Sequence, residues 1–178
     1  MRKLIVVCVV LMAFSMAAMA QDAPKAEVFG GYSYVHTSEA GTGLNFNGGT
    51  GSLSVNPNKT LGLVADFGGY HTSKFGVDAN LFTYLFGPKL AFRSNEKITP
   101  FVHALFGGAH LSAGGFGVSG STNAFAVALG GGLDVNVNNN VAIRLGQVDY
   151  LLTKFQDGVD DRQNNVRIST GVVFRFGK

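Results

Sequence analysis

The 178-residue sequence has no tryptophan, four prolines and a single cysteine, Cys8. A lone cysteine cannot close an intrachain disulfide, and it excludes a metal site built from cysteines. Charge is also scarce. Asp, Glu, Lys and Arg make up 14% of the chain, against about 25% in ordinary soluble domains. The formal net charge is only +3. No basic run or basic helical pattern is present, so nucleic acid is not expected as a partner. What is plentiful is apolar and small: 46% hydrophobic residues, 25 Gly, 15 Phe and 5 Tyr. So many aromatics on so little charge exclude a disordered chain.

The first twenty residues read as an export signal. Arg2 and Lys3 supply a positive start, Leu4 to Phe14 is apolar, and Ala18-Met19-Ala20 places small residues at a cleavage site. The pattern predicts a secretory signal peptide over 1–20, with Gln21 as the new N-terminus. A membrane-anchor helix is the competing reading, but the apolar run is short and ends in a cleavage motif. Cys8 lies too early, without lipobox-like neighbours, to be a lipidation site. Cleavage leaves 178 − 20 = 158 residues without cysteine, carrying 12 basic and 11 acidic groups, or +1. Such an exported chain must be stable without disulfides.

Residues 101–133 lack Asp, Glu, Lys and Arg, as a membrane helix would, but they hold nine glycines. Each glycine in a helix costs about 1 kcal/mol relative to alanine. A twofold period fits instead. Along Ala124–Val137 one face carries Phe125, Val127, Leu129, Gly131, Leu133, Val135 and Val137, and the other Ala124, Ala126, Ala128, Gly130, Gly132, Asp134 and Asn136. Phe82–Phe92 and Val166–Phe176 alternate in the same way. Large apolar groups on one face and small or charged groups on the other make strands. Eight are predicted, over 26–36, 46–55, 60–72, 78–92, 98–112, 123–137, 141–153 and 164–176. Tight polar turns fall at Asn56-Pro57-Asn58-Lys59, at 93–97 and at Asn138-Asn139-Asn140, with a short connection at 73–77. Residues 37–45, 113–122 and 154–163 are expected as longer loops. No linker, repeat, second domain or peptidoglycan-anchoring segment after Lys178 is expected.

The distribution of charge decides which face meets lipid. Glu27, Asp66, Lys89, Asp134, Arg144, Arg167 and Arg175 all fall on the small-residue face, and the opposite face is nearly charge-free. A soluble ligand-binding barrel has the reverse polarity. The sequence therefore predicts an all-β, eight-stranded antiparallel up-and-down transmembrane β-barrel with these seven charges in its lumen. Asp134 and Arg144 are equidistant from Asn139, and Glu27 and Arg175 meet if strand eight closes on strand one, so both pairs are expected as salt bridges. Tyr32, Tyr34, Phe86, Phe92, Phe174 and Phe176 are expected at the lipid headgroups. His103 should face inward. Two residues strain the pattern. Strict alternation sends Asp149 outward, unless a bulge near Gly146 reverses the register or Asp149 lies above the lipid. Pro88 should mark a local bulge.

Ser169-Thr170-Gly171-Val172-Val173-Phe174-Arg175-Phe176 resembles the β-signal of bacterial outer-membrane barrels, carried by Ser169, Gly171, Phe174 and Phe176. The family's chains usually end at the aromatic residue, whereas this one adds Gly177-Lys178. Gly87-Pro88-Lys89, Pro100-Phe101-Val102-His103-Ala104, Gly130-Gly131-Gly132-Leu133-Asp134 and Arg144-Leu145-Gly146 also resemble the small OmpA-like outer-membrane β-barrel family, over nearly all of 21–178. The resemblance implies an eight-stranded barrel in the Gram-negative outer membrane, inserted by the barrel-assembly machinery and surrounded by outer-membrane lipids. It implies no single activity.

Three motifs were weighed as chemistry. Gly115-Phe116-Gly117-Val118-Ser119-Gly120 spells a dinucleotide fingerprint, but no helix pattern follows it. His110-Leu111-Ser112 resembles the His-x-Ser spacing of outer-membrane lipid A deacylases, yet the following strand offers no acid before Asp134. His36, His71 and His110 all fall near one rim but lack metal-ligand spacing. No catalytic residue, cofactor or metal is assigned. The expected role is structural or surface-interacting, as a monomer, through the outer loops. The alternatives are a narrow porin-like pore and, less favoured, a lipid hydrolase. N-terminal sequencing of the protein recovered from membranes should begin at Gln21.

Overall fold

The computed structural model describes residues 23–38, 44–74, 77–115, 118–155 and 162–177. Eight strands follow one another: β1 (Ala26–Ser38), β2 (Leu44–Val55), β3 (Leu61–Lys74), β4 (Val77–Ala91), β5 (Ile98–Gly115), β6 (Val118–Asn136), β7 (Val141–Phe155) and β8 (Arg162–Phe176). Each pairs antiparallel with the next, and β8 pairs with β1, so the sheet closes into a barrel. The predicted face is the outer one. Val28, Leu63, Phe82, Phe106, Phe125 and Ile168 are exposed, while the residues between them are buried in the lumen. Among the expected interfacial aromatics, Tyr32, Phe86, Phe92, Phe174 and Phe176 are exposed and Tyr34 is half-buried.

The tight turns lie at the same end as the chain termini, where Lys25 N donates to Gly177 O at 3.2 Å. Each uses one asparagine in the same way. Asn58 Oδ1 accepts from the amides of Thr60 and Leu61, Asn95 Oδ1 from Lys97 and Ile98, and Asn138 Oδ1 from Asn140 and Val141, at 2.6–3.3 Å. A short side chain that occupies the turn's own amides returns the chain in few residues. Short turns mark the periplasmic end of such a barrel.

The other end corrects the expected loop at 113–122. The β5–β6 ladder continues to the Gly115↔Val118 pair. Only 116 and 117 of that loop fall outside the described residues. These strands have 18 and 19 residues, against about 9–11 needed to cross a bilayer. The hairpin therefore stands beyond the membrane as a ladder. Glycines and serines mimicked a loop in sequence, but cross-strand pairing with the partner strand outweighs their low β-propensity. Residues 39–43 and 156–161 of the other two expected loops lie outside the described residues.

Asp149 and Pro88 resolve differently. A bulge at Leu145–Gly146 shifts β7 by one residue against both neighbours: Asp134 pairs with Arg144 but Leu133 with Gly146. One extra residue reverses the alternation, so Gln147 and Asp149 turn inward and are buried. Pro88 makes no bulge, contrary to expectation. Phe86↔Phe106 and Lys89↔His103 keep one register on either side of it. Pairing to β5 simply lapses at Gly87 and Pro88, while β3 still pairs with both. A missing N–H removes a ladder bond without inserting a residue.

Closure needs close backbones at one point. Gly31 and Gly171 face each other across the β1–β8 seam. A Cβ on Gly171 would lie 2.3 Å from Gly30 O, and one on Gly31 would lie 2.1 Å from Thr170 O. Gly171→Val should destabilise the closed barrel by about 1–3 kcal/mol. Urea unfolding in lipid vesicles and the mobility difference between heated and unheated samples on a gel measure the loss.

Candidate functional site

Inward-pointing side chains divide the lumen into two halves. In the periplasmic half they are charged. Glu27 on β1 pairs with Lys89 on β4, directly across the lumen. It also pairs with Arg93 at 3.2 Å and Arg175 at 3.0 Å. Asp134 pairs with Arg144 at 2.8 Å on the neighbouring strand, as the symmetric turn predicted. The Arg144 guanidinium lies between the rings of Phe29 and Phe101, 4.2 and 4.3 Å from their centroids. Flanking aromatic faces favour a planar cation there.

A chain of polar contacts continues toward mid-barrel. Arg144 Nη1 donates to Gln147 Oε1 at 2.6 Å, and Gln147 Nε2 to Asp149 Oδ2 at 2.7 Å. Asp149 also takes His103 Nε2 at 2.7 Å and Arg167 Nε at 2.8 Å. Arg167 reaches across to Asp66 Oδ1 at 2.6 Å and to the Tyr70 hydroxyl at 3.3 Å. All seven predicted lumen charges are buried, and Arg167 is fully so. The expected lumen set lacks Asp149 and Gln147, which the bulge turns inward, and Arg93, which follows β4 in a turn. A carboxylate on an otherwise apolar face was the signal for the first. The cross-lumen partners Glu27–Lys89 and Asp66–Arg167 had no signal, because β1 to β4 and β3 to β8 are not neighbours.

The outer half is largely apolar, though Thr37, Thr83, Thr153 and Asn165 are buried there too. Val35, Phe46, Leu81, Leu85, Leu105 and Leu151 belong to one buried cluster that fills it, with Tyr70 touching the polar half. The small-residue face expected throughout the lumen thus holds only for part of it. Alanines on β6 make room for leucines from β4, β5 and β7.

The three rim histidines do not converge. Each Nδ1 donates to an asparagine directly opposite on its own hairpin: His36 to Asn45 at 2.7 Å, His71 to Asn80 at 2.9 Å, His110 to Asn123 at 2.8 Å. Among the described residues no group of three or more His, Cys, Asp or Glu could hold a metal. The sequence carries a repeat behind this: His36-Thr37-Ser38, His71-Thr72-Ser73 and His110-Leu111-Ser112. A His-x-Ser unit that recurs on three hairpins, each with a cross-strand asparagine, is a polar collar at the outer rim. His110 and Ser112 are one copy of it. The dinucleotide-like 115–120 segment lies at the tip of the β5–β6 hairpin, where the described residues continue as strand. No helix follows to receive a phosphate.

Removing one partner from the central knot leaves the others buried and unpaired. Arg167→Met should cost about 3–5 kcal/mol. Adding Asp66→Asn should recover part of that loss, read as unfolding free energy in a double-mutant cycle.

A profile of the outer membrane protein beta-barrel domain matches residues 6–176. Solved structures are similar over nearly the whole barrel. Ail, the attachment invasion locus protein of Yersinia pestis, is 22% identical, with a TM-score of 0.62 over 86% of this chain and 99% of its own. Neisserial surface protein A is 16% identical, with a TM-score of 0.74 over 88% and 100%. The N-terminal barrel of Pseudomonas aeruginosa OprF is 16% identical, with a TM-score of 0.54 over 86% and 98%. No curated protein matches the sequence. At these identities the structures speak for the fold, and the profile speaks for the family. With a closed eight-stranded barrel, an apolar outer face and charges held in the lumen, the chain belongs to the outer membrane protein beta-barrel domain family and resides in the bacterial outer membrane.

Proposed function

We propose that this protein is a monomeric scaffold of the outer membrane, whose work is done by what its outer end presents to other surfaces. The observation that carries this reading is the apolar plug. Leu81, Leu85, Leu105 and Leu151 are buried together in the outer half of the lumen. An ion entering there would lose its hydration against leucine side chains, with no buried charge among the described residues to replace it, which opposes a pore. The cross-lumen ion pairs oppose one further down. Closure leaves no sheet edge to recruit a second chain, which supports a monomer. The outward His-x-Ser collar is a repeated rim feature rather than a single site, which supports a non-enzymatic role. Relatives of this fold are named for attachment or for the cell surface, and this chain's outer hairpin extends beyond the membrane in the same direction.

The route to the membrane in this reading is export through residues 1–20, then insertion by the barrel-assembly machinery. Ser169, Gly171, Phe174 and Phe176 act as its C-terminal recognition segment. Gly171 has the additional duty at the seam described above, and Phe174 and Phe176 are exposed to lipid.

Bilayer recordings on the purified barrel test the scaffold against the pore. The expected outcome is no discrete conductance. Steady channels abolished by Arg144→Met would overturn the scaffold reading. The surface role is read separately. Cells displaying the barrel should adhere to a coated or cellular surface, and replacing 39–43 and 156–161 with short Gly-Ser segments should remove that adhesion while the heat-dependent gel shift persists.

A further inference from the structure

The outer wall of the barrel has a gap just below its outer rim. Gly49 on β2 and Gly69 on β3 are cross-strand partners on the exposed, lipid-facing side. A Cβ on Gly69 would meet nothing within 4 Å. Register places an exposed aromatic ring on either side of the pair, Tyr32 opposite Gly49 and Phe82 opposite Gly69. Three strand spacings make the opening between those two strands about 14 Å wide.

The next row toward the rim is polar. Asn47, His71, Asn80, Ser112 and Ser121 are successive cross-strand partners from β2 to β6. The Tyr32 hydroxyl donates to Asn47 Oδ1 at 2.6 Å, and His71 Nδ1 donates to Asn80 Oδ1 at 2.9 Å. These bonds set the roles of the atoms that remain. Each asparagine keeps Nδ2 as a donor, and an imidazole with its proton on Nδ1 keeps Nε2 as an acceptor. His110, the cross-strand partner of Phe82, is bonded to Asn123 in the same way and adds a second such acceptor.

A groove of about 350 Å³ joins these groups, lined by Gly69, His71, Asn80, Phe82, His110 and Ser112 among others. Above it a second hollow of about 590 Å³ shares Asn80 and Ser112 and continues past Asp78 and Ser121 along the projecting β5–β6 ladder. The path starts at the lipid belt, where Tyr84 and Phe86 follow Phe82 on the exposed face of β4, and climbs away from the membrane. Its foot is an aromatic ring, and hydroxyls, amides and imidazoles line the rest. Among the described residues that line it there is no Lys or Arg, and Asp78 is the one carboxylate.

We propose that this groove holds the sugar headgroup of a glycolipid of the outer leaflet, whose acyl chains lie on the apolar belt below Phe82. An aromatic face covers the C–H side of a sugar ring as it covers other apolar surface. Donors and acceptors set side by side match hydroxyl groups, each of which both donates and accepts. A groove without Lys or Arg is poorly suited to a phosphate, which those cations recognise. Continuity with the lipid-facing belt favours a sugar carried by a lipid over a free one. Further sugars on the same headgroup follow the second hollow up the β5–β6 ladder.

The full mature chain is placed in phosphatidylcholine nanodiscs with rising fractions of monoglucosyl diacylglycerol and, separately, of phosphatidylglycerol. Side-chain NMR signals of His71, Asn80 and His110 are followed. Saturable shifts are expected with the glucosyl lipid and not with phosphatidylglycerol. Gly69→Leu fills the gap without meeting the backbone and should weaken binding about tenfold or more, while the heat-dependent gel shift persists. Asn80→Leu removes the central donor from an exposed position and should weaken it about threefold to tenfold. Lys154→Gln, a cation on the exposed face of β7 outside the groove, should change nothing. If Gly69→Leu fails to insert, Asn80→Leu decides. No saturable shift with the glucosyl lipid, equal shifts with phosphatidylglycerol, a loss with Lys154→Gln, or unaltered affinity in either groove variant would overturn the proposal.

Discussion

Everything in this molecule follows from the rule that a backbone N–H or C=O cannot be left bare in hydrocarbon. Eight antiparallel strands satisfy each other along seven seams, and the eighth, between β8 and β1, is where the rule is met or broken. Gly31 and Gly171 meet at that seam because any side chain there would push against the opposite backbone. The asparagine turns serve the same end. They return the chain quickly enough that ladders run almost to the last residue.

Closing the sheet on eight strands fixes a lumen that side chains can fill. Lipid outside then claims the large apolar residues, so the charges have one place to go. They arrive from six of the strands and from the 93–97 turn, and become partners because the lumen is narrow. Glu27–Lys89 and Asp66–Arg167 are contacts across the barrel, and they tie distant strands together in a way no hairpin can. The bulge at Leu145–Gly146 belongs to this arrangement. Without that extra residue, Asp149 would point into lipid and Arg167 would lose one of its two carboxylates.

The two halves of the lumen have different chemistry for one reason: filling a small volume requires either paired charge or apolar bulk. The periplasmic half uses pairs. The outer half uses leucines against alanines, and among the described residues no charged side chain is buried there. Above it, the rim shows water a repeated His–Asn pair on three hairpins and the projecting β5–β6 ladder. The membrane thus surrounds a cylinder filled by its own side chains, with polar groups presented at both ends.

Strand number, strand faces and the inside-out polarity were legible in the sequence, because period-2 alternation is a local property and lipid reverses its sign. So were Asp134–Arg144, which a symmetric turn places side by side, and Glu27–Arg175, which closure brings together. The inward turn of Asp149 was legible only as a conflict, since one added residue changes every later side and leaves no local mark. The loop expected at 113–122 misled because glycine and serine read the same in a ladder as in a loop until a partner strand is present. Lys89 opposite Glu27, Arg167 between Asp66 and Asp149 and the leucine plug belong to the tertiary structure alone. They depend on which strands face each other across the lumen, a distance set by closure of the barrel and carried by no stretch of adjacent residues.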